Sequence, residues 1–469
     1  MKKTKIIATV GPSCEQEGHL RNLITLGVNV FRLNFKHNEP DWHRMIARRI
    51  KALAVEMEVV VGVLIDLQGP EIRIKLASDS IELEAGTPVA LGPAGIDVTH
   101  PQIIPHLSDG ERIVLNDGQY ECAVRKNDDG IWLVPTQSGE LGNHKSINIP
   151  DADIPLEVLA SRDYIGIDIA AQEKIDFVAL SFARTVSDIE TLSQALKKVG
   201  SNAKIVAKIE AKKAIANIDG IIDAADIIMV ARGDLGVELP PEQVPHYQKK
   251  IIRKCIARGV PVITATQMLE SMIEHPHPTR AEISDVANAV FDLTDALMLS
   301  GESAVGAYPA EAVASMARTA EYNESFQQDD VRSTYRFHLG TQAEHLGDAA
   351  YNMYHSNHHN SPFAAFVVIS QTGRSAQLIS RYRAHIPVFA FVPTSDVARS
   401  LTINYGITPL VKKAPVSGDH EIVEKTHIIS CIMELVEQKL LQKNVSVIVM
   451  HGDMWGVVGG SSVVRIMRS

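Results

Sequence analysis

The sequence predicts an α/β chain: a TIM (β/α)8 barrel with an inserted all-β lid domain and a C-terminal α/β domain. Three observations predict it. Short apolar runs alternate with charged helical stretches over residues 1–70 and again from Ser161 onward, eight runs in all. Between Ile74 and about Pro155 the helical rhythm stops, and short alternating runs separated by turn signals replace it. Beyond a polar stretch at 320–345, a second strand–helix pattern runs to the end. The expected domains are 1–72 and 158–330 for the barrel, 73–157 for the lid and 331–469 for the C-terminal unit. A length of 469 residues agrees with about three domains.

In order, the barrel strands are expected at 5–9, 28–33, 59–66, 177–180, 204–207, 227–230, 261–265 and 296–299. Gly11-Pro12-Ser13 breaks the first, with Ser13 as cap of the next helix, and 41–55 reads as a charged helix. In the insertion, strands at 81–83, 112–115 and 131–134 flank the turn signals Asn116-Asp117-Gly118 and Asp128-Asp129-Gly130. An insertion in a βα loop lies over the rim where barrel strands end, so it reads as a lid. In the C-terminal unit, strands are expected at 363–369, 387–392, 446–450 and 463–467, with helices at 374–382 and 422–442.

Composition excludes several classes of function. Charged residues are 22% and hydrophobic ones 45%, as in an ordinary globular chain. A formal charge of −10 argues against a nucleic-acid or anionic-membrane partner. The longest apolar run, 59–65, is too short to span a bilayer, and the chain goes straight from Met1 into a strand without a signal peptide. Cys14, Cys122, Cys255 and Cys431 lie far apart without metal-ligand spacing, which suits a reduced, cytoplasmic protein.

The chemistry gathers where the apolar runs end. Lys208-Ile209-Glu210 follows one and Ala231-Arg232-Gly233-Asp234-Leu235-Gly236 another. Lys208, Glu210 and Asp234 from these stretches, with Arg32, Asn34, Asp66, Arg73 and Thr266, give the rim three cations, three carboxylates, an amide and a hydroxyl. Each has a structural alternative: Arg32 pairs with Asp66, or Thr266 caps the helix that follows. Together at separate strand ends they suit phosphoryl transfer, in which positioning and charge neutralisation do most of the catalysis. Glu210 and Asp234 are hard oxygen ligands that leave Mg2+ several open positions.

These stretches resemble the pyruvate kinase family over essentially the whole chain. The resemblance rests on 4–12 (Thr-Lys-Ile-Ile-Ala-Thr-Val-Gly-Pro), Arg32-Leu33-Asn34-Phe35, Gly69-Pro70-Glu71-Ile72-Arg73 and Ala207-Lys208-Ile209-Glu210. It continues through 231–238, Ala265–Met272, Pro278-Thr279-Arg280-Ala281-Glu282 and Leu299-Ser300-Gly301-Glu302. It implies a cytoplasmic homotetramer that moves a phosphoryl group from phosphoenolpyruvate to ADP, giving pyruvate and ATP, with Mg2+ or Mn2+. By position, Glu210 and Asp234 hold the divalent metal, Lys208 meets the phosphoryl group, and Arg32 and Arg73 neutralise its oxygens. Ala231, Arg232, Gly233 and Asp234, with Thr266, hold the substrate carboxylate, and Thr266 belongs to the proton relay. Pro12, Arg32, Asn34 and His37 border the nucleotide, which Asp117 and Lys145 reach from the lid.

The sequence departs from the family's commonest pattern at Lys36, Asn38, Leu67, Gln68, Ala211 and Leu293. Asn34, Asp66 and positions 36 and 67 form the family's monovalent-cation site. Lys36 in place of a serine and Leu67 in place of a threonine remove oxygens from it. The expectation is therefore that K+ is not required, the Lys36 ammonium standing in for it among those oxygens. Glu71, where some K+-independent members have lysine, points the other way.

Ser370-Gln371-Thr372-Gly373-Arg374-Ser375 joins a strand to a helix and resembles the family's effector loop, implying a phosphorylated allosteric effector. A capped helix start is the plainer alternative. The run His355-Ser356-Asn357-His358-His359-Asn360 reads as a solvated loop rather than a metal site. Two other functions compete: a barrel lyase or aldolase acting on pyruvate-type enolates, and a metabolite sensor without turnover. Arg73, Lys208 and the lid argue against the first, the intact metal ligands against the second.

Overall fold

The computed structural model describes residues 2–150, 157–327, 331–356, 362–413, 420–452 and 461–469. Eight parallel strands close into a barrel. They are Lys5–Thr9, Val30–Asn34, Gly62–Asp66, Phe177–Leu180, Lys204–Ile209, Ile227–Ala231, Val262–Ala265 and Ala296–Leu299. Lys5–Thr9 pairs with both Val30–Asn34 and Ala296–Leu299, which completes the ring. Inward side chains such as Ile7, Leu64, Val206, Met229 and Met298 fill its interior. Outward ones pack against the surrounding helices, so each strand reads as continuously apolar.

Two strands begin later than their apolar runs. Val28 and Val59 donate their N–H groups to Leu23 and Ala54, closing the preceding helices before the chain extends. The strand expected at 204–207 runs to Ile209, which puts Lys208 inside the sheet. Ser13 does not cap a helix. The helix Glu17–Thr25 starts after Gln16, and the Ser13 N–H bonds to Ala304 O at 3.0 Å.

Residues 74–148 form short antiparallel strands around their own core of Ile74, Ile113, Leu115, Leu133 and Leu141. The turn at Asn116-Asp117-Gly118 has three successive positive φ values, 51°, 52° and 99°, which Asn, Asp and Gly tolerate. The C-terminal sheet has the order Ile407–Val411, Val388–Val392, Phe363–Ile369, Ser446–Gly452, Ser461–Arg468, with only the last strand antiparallel. The strand Ile407–Val411 and the helix Ser395–Ser400 escape the sequence reading. The polar stretch 320–345 is not all linker. The helix Pro309–Glu324 runs into it, and Thr341 with Glu344 forms a capping box that starts the helix Gln342–His355. The long C-terminal helix is His420–Glu437, ended by Lys439 at φ 58°. Of the histidine run, Asn357 to Asn360 lie outside the described residues. Among the described residues no helix is long and apolar enough to cross a membrane.

The C-terminal unit is bolted beneath the barrel, at the N-terminal ends of its strands. Asp295 pairs with Arg383 at 2.7 Å, and its two oxygens also accept the N–H groups of Tyr405 and Val262, both at 3.0 Å. Lys5 Nζ donates to Ile407 O at 2.7 Å, and Arg399 pairs with Asp176 at 2.7 Å. Arg383 and Asp295 are both buried, so removing one strands the other. Arg383→Met should therefore cost about 3–5 kcal/mol, and adding Asp295→Asn should recover part of it. Urea denaturation of the two variants and the wild type checks this; equal midpoints would show that the pair carries no weight.

Candidate active site

The strand ends opposite the C-terminal unit bring most of the expected residues together. Lys208, only 6% exposed, lies between two carboxylates: Nζ is 2.8 Å from Glu210 Oε1 and 3.2 Å from Asp66 Oδ1. It also donates to Ser181 Oγ at 2.9 Å. Arg32 reaches Asp66 Oδ2 from Nε at 2.8 Å and Nη2 at 2.7 Å, while its Nη1 donates to Thr9 Oγ1 at 2.9 Å. Arg32 thus takes up its structural alternative, holding Asp66. Burial pushes the Asp66 carboxyl up, but Lys208 and Arg32 outweigh it and hold it below the ordinary range. Burial alone would lower the Lys208 ammonium; Asp66 and Glu210 hold it above its usual value.

Asp234 is pushed up to about 7, first by burial and then by the neighbouring Glu210 carboxylate. Glu210 Oε2 also accepts the Phe182 N–H at 2.7 Å. Two carboxylates set against each other, Glu210 buried and Asp234 half-buried and driven toward its neutral form, make a site short of positive charge. A divalent cation would supply that charge, and two carboxylates would leave it room for further oxygens. No cluster of three or more metal-ligating side chains occurs among the described residues, so protein ligands alone would not saturate such an ion.

Thr266 and Gln267 take left-handed φ values of 67° and 53°, uncommon for any side chain and worst for a β-branched one. Neighbouring groups hold them there. Arg232 Nη2 donates to Thr266 O at 2.7 Å and Gln267 O at 3.1 Å, and Asp285 anchors the guanidinium at 2.7 Å. Gly233 N–H donates to Thr266 Oγ1 at 2.7 Å, and that hydroxyl donates to Ala265 O. Arg232 is therefore turned onto the loop behind the site, and Thr266 is not a helix cap. Ala231 ends its strand, and Gly233 and Asp234 open the helix Arg232–Glu238.

The lid meets the barrel over this helix. Asp117 and Asp234 line one cleft of about 110 Å³, along with Glu71, Ser146, Phe182 and Lys213. Ser146 Oγ donates to Asp117 Oδ1 at 2.6 Å. Arg73 pairs with Glu71 at 2.5 Å and donates to His144 O at 3.2 Å, so its partners lie at the base of the β insertion. Pro12, His37 and Lys145 are exposed and outside that cleft's lining.

Lys36 is not among the cation ligands. Its Nζ lies 3.5 Å from Glu71 Oε1, while its backbone N–H takes Asn34 Oδ1 at 3.2 Å. Asp66 Oδ1 keeps only the misaligned contact with Lys208 and has no hydrogen-bond donor. In the C-terminal unit, Gly373 has φ 81° and donates to Ser370 Oγ at 3.0 Å, while the Arg374 N–H reaches Thr372 Oγ1 at 3.5 Å. Gln371 and the buried Ser375 complete a loop that spends much of its donor capacity on itself.

Ser181, Phe182 and Asp285 escaped the sequence reading, and Glu302 entered it only within a matched stretch, without a role. Ser181-Phe182 follows the apolar run 177–180 as Lys208 and Asp234 follow theirs, and that position was the available signal. Glu302 accepts the N–H groups of Leu269 and Ser300 at 3.1 and 2.7 Å, a role visible only once the barrel closes.

A barrel whose strand ends bury a lysine among carboxylates, beneath an inserted β lid, defines a phosphotransferase site. Known proteins make it particular. Family models described as the pyruvate kinase barrel domain and the pyruvate kinase alpha/beta domain match residues 1–313 and 349–467. The chain is 38% identical to a pyruvate kinase of Sporosarcina psychrophila, over 99% of this chain and 80% of that protein. It is 39% identical to a pyruvate kinase of Staphylococcus aureus (strain MRSA252), over 89% of this chain and 73% of that one. The chain belongs to the pyruvate kinase family, phosphotransferases of glycolysis that act on phosphoenolpyruvate and ADP with a divalent metal.

The burial of Lys208 sets what its loss should do. Lys208→Met should lower turnover by about 10²–10⁴-fold and also lower the melting temperature, since Asp66 and Glu210 lose a shared counter-charge. Lys208→Arg should restore stability but not turnover. Turnover and melting curves on the two variants check this; an unchanged melting temperature in Lys208→Met would mean that the pairing is energetically idle. Glu210→Gln should raise the Mg2+ concentration needed for half activity, read from a Mg2+ titration.

Proposed function

We propose that this chain is a working pyruvate kinase in which Lys208 meets the phosphoryl group in transit. The observation that carries the reading is the buried Lys208 ammonium between Asp66 and Glu210, with Asp234 beside them. Glu210 and Asp234 would hold Mg2+ or Mn2+, which when bound supplies charge neutralisation to substrate oxygens. Arg32 lends a guanidinium fork to the phosphate while anchored on Asp66, and Arg73 adds a second from the hinge. The Gly233 and Asp234 amides take the substrate carboxylate, Gly233 exchanging its present bond to Thr266. Thr266, held by Arg232 and Gly233, hands a proton to the enolate once the phosphoryl group has left. Pro12, Asn34 and His37 border the nucleotide from the barrel, Asp117 and Lys145 from the lid spanning 73–157.

A coupled lactate dehydrogenase assay with phosphoenolpyruvate, ADP and Mg2+ tests the reading. Steady, Mg2+-dependent pyruvate formation is expected; phosphoenolpyruvate binding without turnover would leave the metabolite sensor.

The finer properties follow. Lys36 acts as a built-in cation, though from Glu71 rather than from within the ligand set. Its charge still bears on both Asp66 and Asp234, and Asn34 Oδ1 is already engaged. Activity in potassium buffer should exceed that in tetramethylammonium buffer of equal ionic strength by less than about tenfold, or roughly 1.4 kcal/mol. Lys36→Ser with Leu67→Thr should create a K+ requirement; greater K+ activation in the wild type would defeat the proposal. The loop Ser370–Ser375 serves a phosphorylated effector, and the assembly is a homotetramer. The four buried free thiols fit a cytoplasmic enzyme.

A further inference from the structure

Asp163 is a buried carboxylate that the chemistry above does not use. It stands at the third position of the helix Ser161–Gln172, with no exposed surface. Its Oδ2 accepts the Ala160 N–H at 2.8 Å, the ordinary work of an acidic residue there. The other two bonds leave the helix. Oδ1 accepts the Gln68 N–H at 2.8 Å, and Oδ2 accepts the Gly69 N–H at 3.1 Å. Among the described residues no cation lies within ion-pair distance, so backbone amides alone answer the charge. Burial drives the carboxyl above its ordinary range, and the three N–H groups draw it back only in part. A helix cap needs only the first of these bonds; the other two hold a second piece of chain.

That piece is the turn leaving the strand Gly62–Asp66. The Gln68 N–H and the Leu67 carbonyl belong to one planar peptide group, so fixing one fixes the other. Leu67 O accepts the Ser181 hydroxyl at 2.7 Å, and Ser181 Oγ accepts from Lys208 Nζ at 2.9 Å. The turn is packed without slack. Gly69 has φ 71°, and a Cβ there would lie 2.8 Å from Ser181 Cβ. On the helix side, a Cβ at Gly166 would lie 2.9 Å from Leu67 Cδ2. The helix start is itself anchored, because Arg162 Nε donates to Phe35 O at 2.8 Å and its guanidinium lies over the Phe35 ring.

We propose that Asp163 is a positioning residue for phosphoryl transfer: through the Leu67–Gln68 peptide it holds the Ser181 hydroxyl, and thereby the Lys208 ammonium, in place. The inference rests on the reading of Lys208 as the group that meets the phosphoryl group. Asp66 and Glu210 alone leave the ammonium free to swivel about the line that joins them. The third contact, at Ser181, removes that freedom, and it is only as firm as the carbonyl behind it. Without Asp163 the Gln68 and Gly69 N–H groups lose their acceptor, and the turn shifts to find another.

Turnover, Mg2+ titrations and melting curves are measured on the full-length wild type, Asp163→Asn, Ser181→Ala and the double variant, with kinetics run well below the lowest melting temperature. Asp163→Asn should lower turnover by about 10–100-fold, the range for a small misplacement of a reacting group. The KM for phosphoenolpyruvate and the Mg2+ needed for half activity should move far less, because Glu210 and Asp234 follow other strands. In the Ser181→Ala background the same substitution should cost less by about fivefold or more, since the contact it acts through is already gone. Glu344→Gln alters a capping carboxylate of the same kind on the helix Gln342–His355, and it should lower the melting temperature while leaving turnover unchanged. Should Asp163→Asn not fold, Asp163→Glu, which keeps the charge and displaces it by a methylene, carries the same cycle. Equal penalties with and without the Ser181 hydroxyl, or turnover that falls no further than in Glu344→Gln, would reduce Asp163 to a helix cap; the inference is then wrong and the functional reading stands. Absence of turnover in the wild type would overturn both.

Discussion

The site depends on keeping ionised groups out of water without leaving any of them alone. Asp66 is 1% exposed, Glu210 1% and Lys208 6%, and Arg32 closes the group from the next strand. A buried ion pair contributes little net stability, but removal of one member costs several kcal/mol because the other is left uncompensated. The cluster therefore fixes its own geometry. Lys208 cannot swing away without stranding two carboxylates, so its ammonium stays at the strand end. Asp234 is the member left short of positive charge. Preorganisation of this kind is costly to build in a loop and natural at the ends of barrel strands, where the backbone is already fixed.

That location also explains why much of the site was legible in the sequence. Parallel strands buried on both faces read as unbroken apolar runs, and a charge directly after such a run must lie at a strand end. Lys208, Glu210, Asp234 and Asp66 all announce themselves this way. Ser181 and Phe182 do too, but a serine and a phenylalanine carry no distinctive charge, and the Phe182 contribution is a backbone N–H. Asp285 and Glu302 lie on helices far along the chain, and nothing local marks them as supports of the Thr266 loop. The same limit applies to backbone hydrogen bonds: Val28 and Val59 look like strand residues, yet their N–H groups close the helices before them. The polar stretch 320–345 hid a helix start whose Thr341–Glu344 capping pair was there to be read.

Departures from the family pattern mark where this chain has made local compensations. Two of these departures, Asn38 and Leu293, sit at left-handed φ, 61° and 69°, the region glycine enters most easily. Asparagine adopts that region with little strain; leucine does not. Leu293 is held by the C-terminal unit, whose Arg383 donates to its carbonyl from Nε and Nη2 at 3.1 and 2.9 Å. The domain contact and the strained residue therefore support each other, which neither position reveals alone.

The same contact lies beneath the strands that lead to the site. Asp295 grips Arg383 and Tyr405 of the C-terminal unit, and it also accepts the N–H of Val262. It thus stands at the start of two adjacent strands, Val262–Ala265 and Ala296–Leu299. The first of these ends at Thr266, the residue held in the strained conformation. The second leads to Glu302, which accepts the Leu269 N–H in the same loop. These two strands pair with each other in the closed barrel, so Asp295 and the Thr266 loop are joined by one stretch of backbone hydrogen bonding. The buried Asp295–Arg383 pair is thus set beneath the two strands that carry this loop, at the opposite end of the barrel.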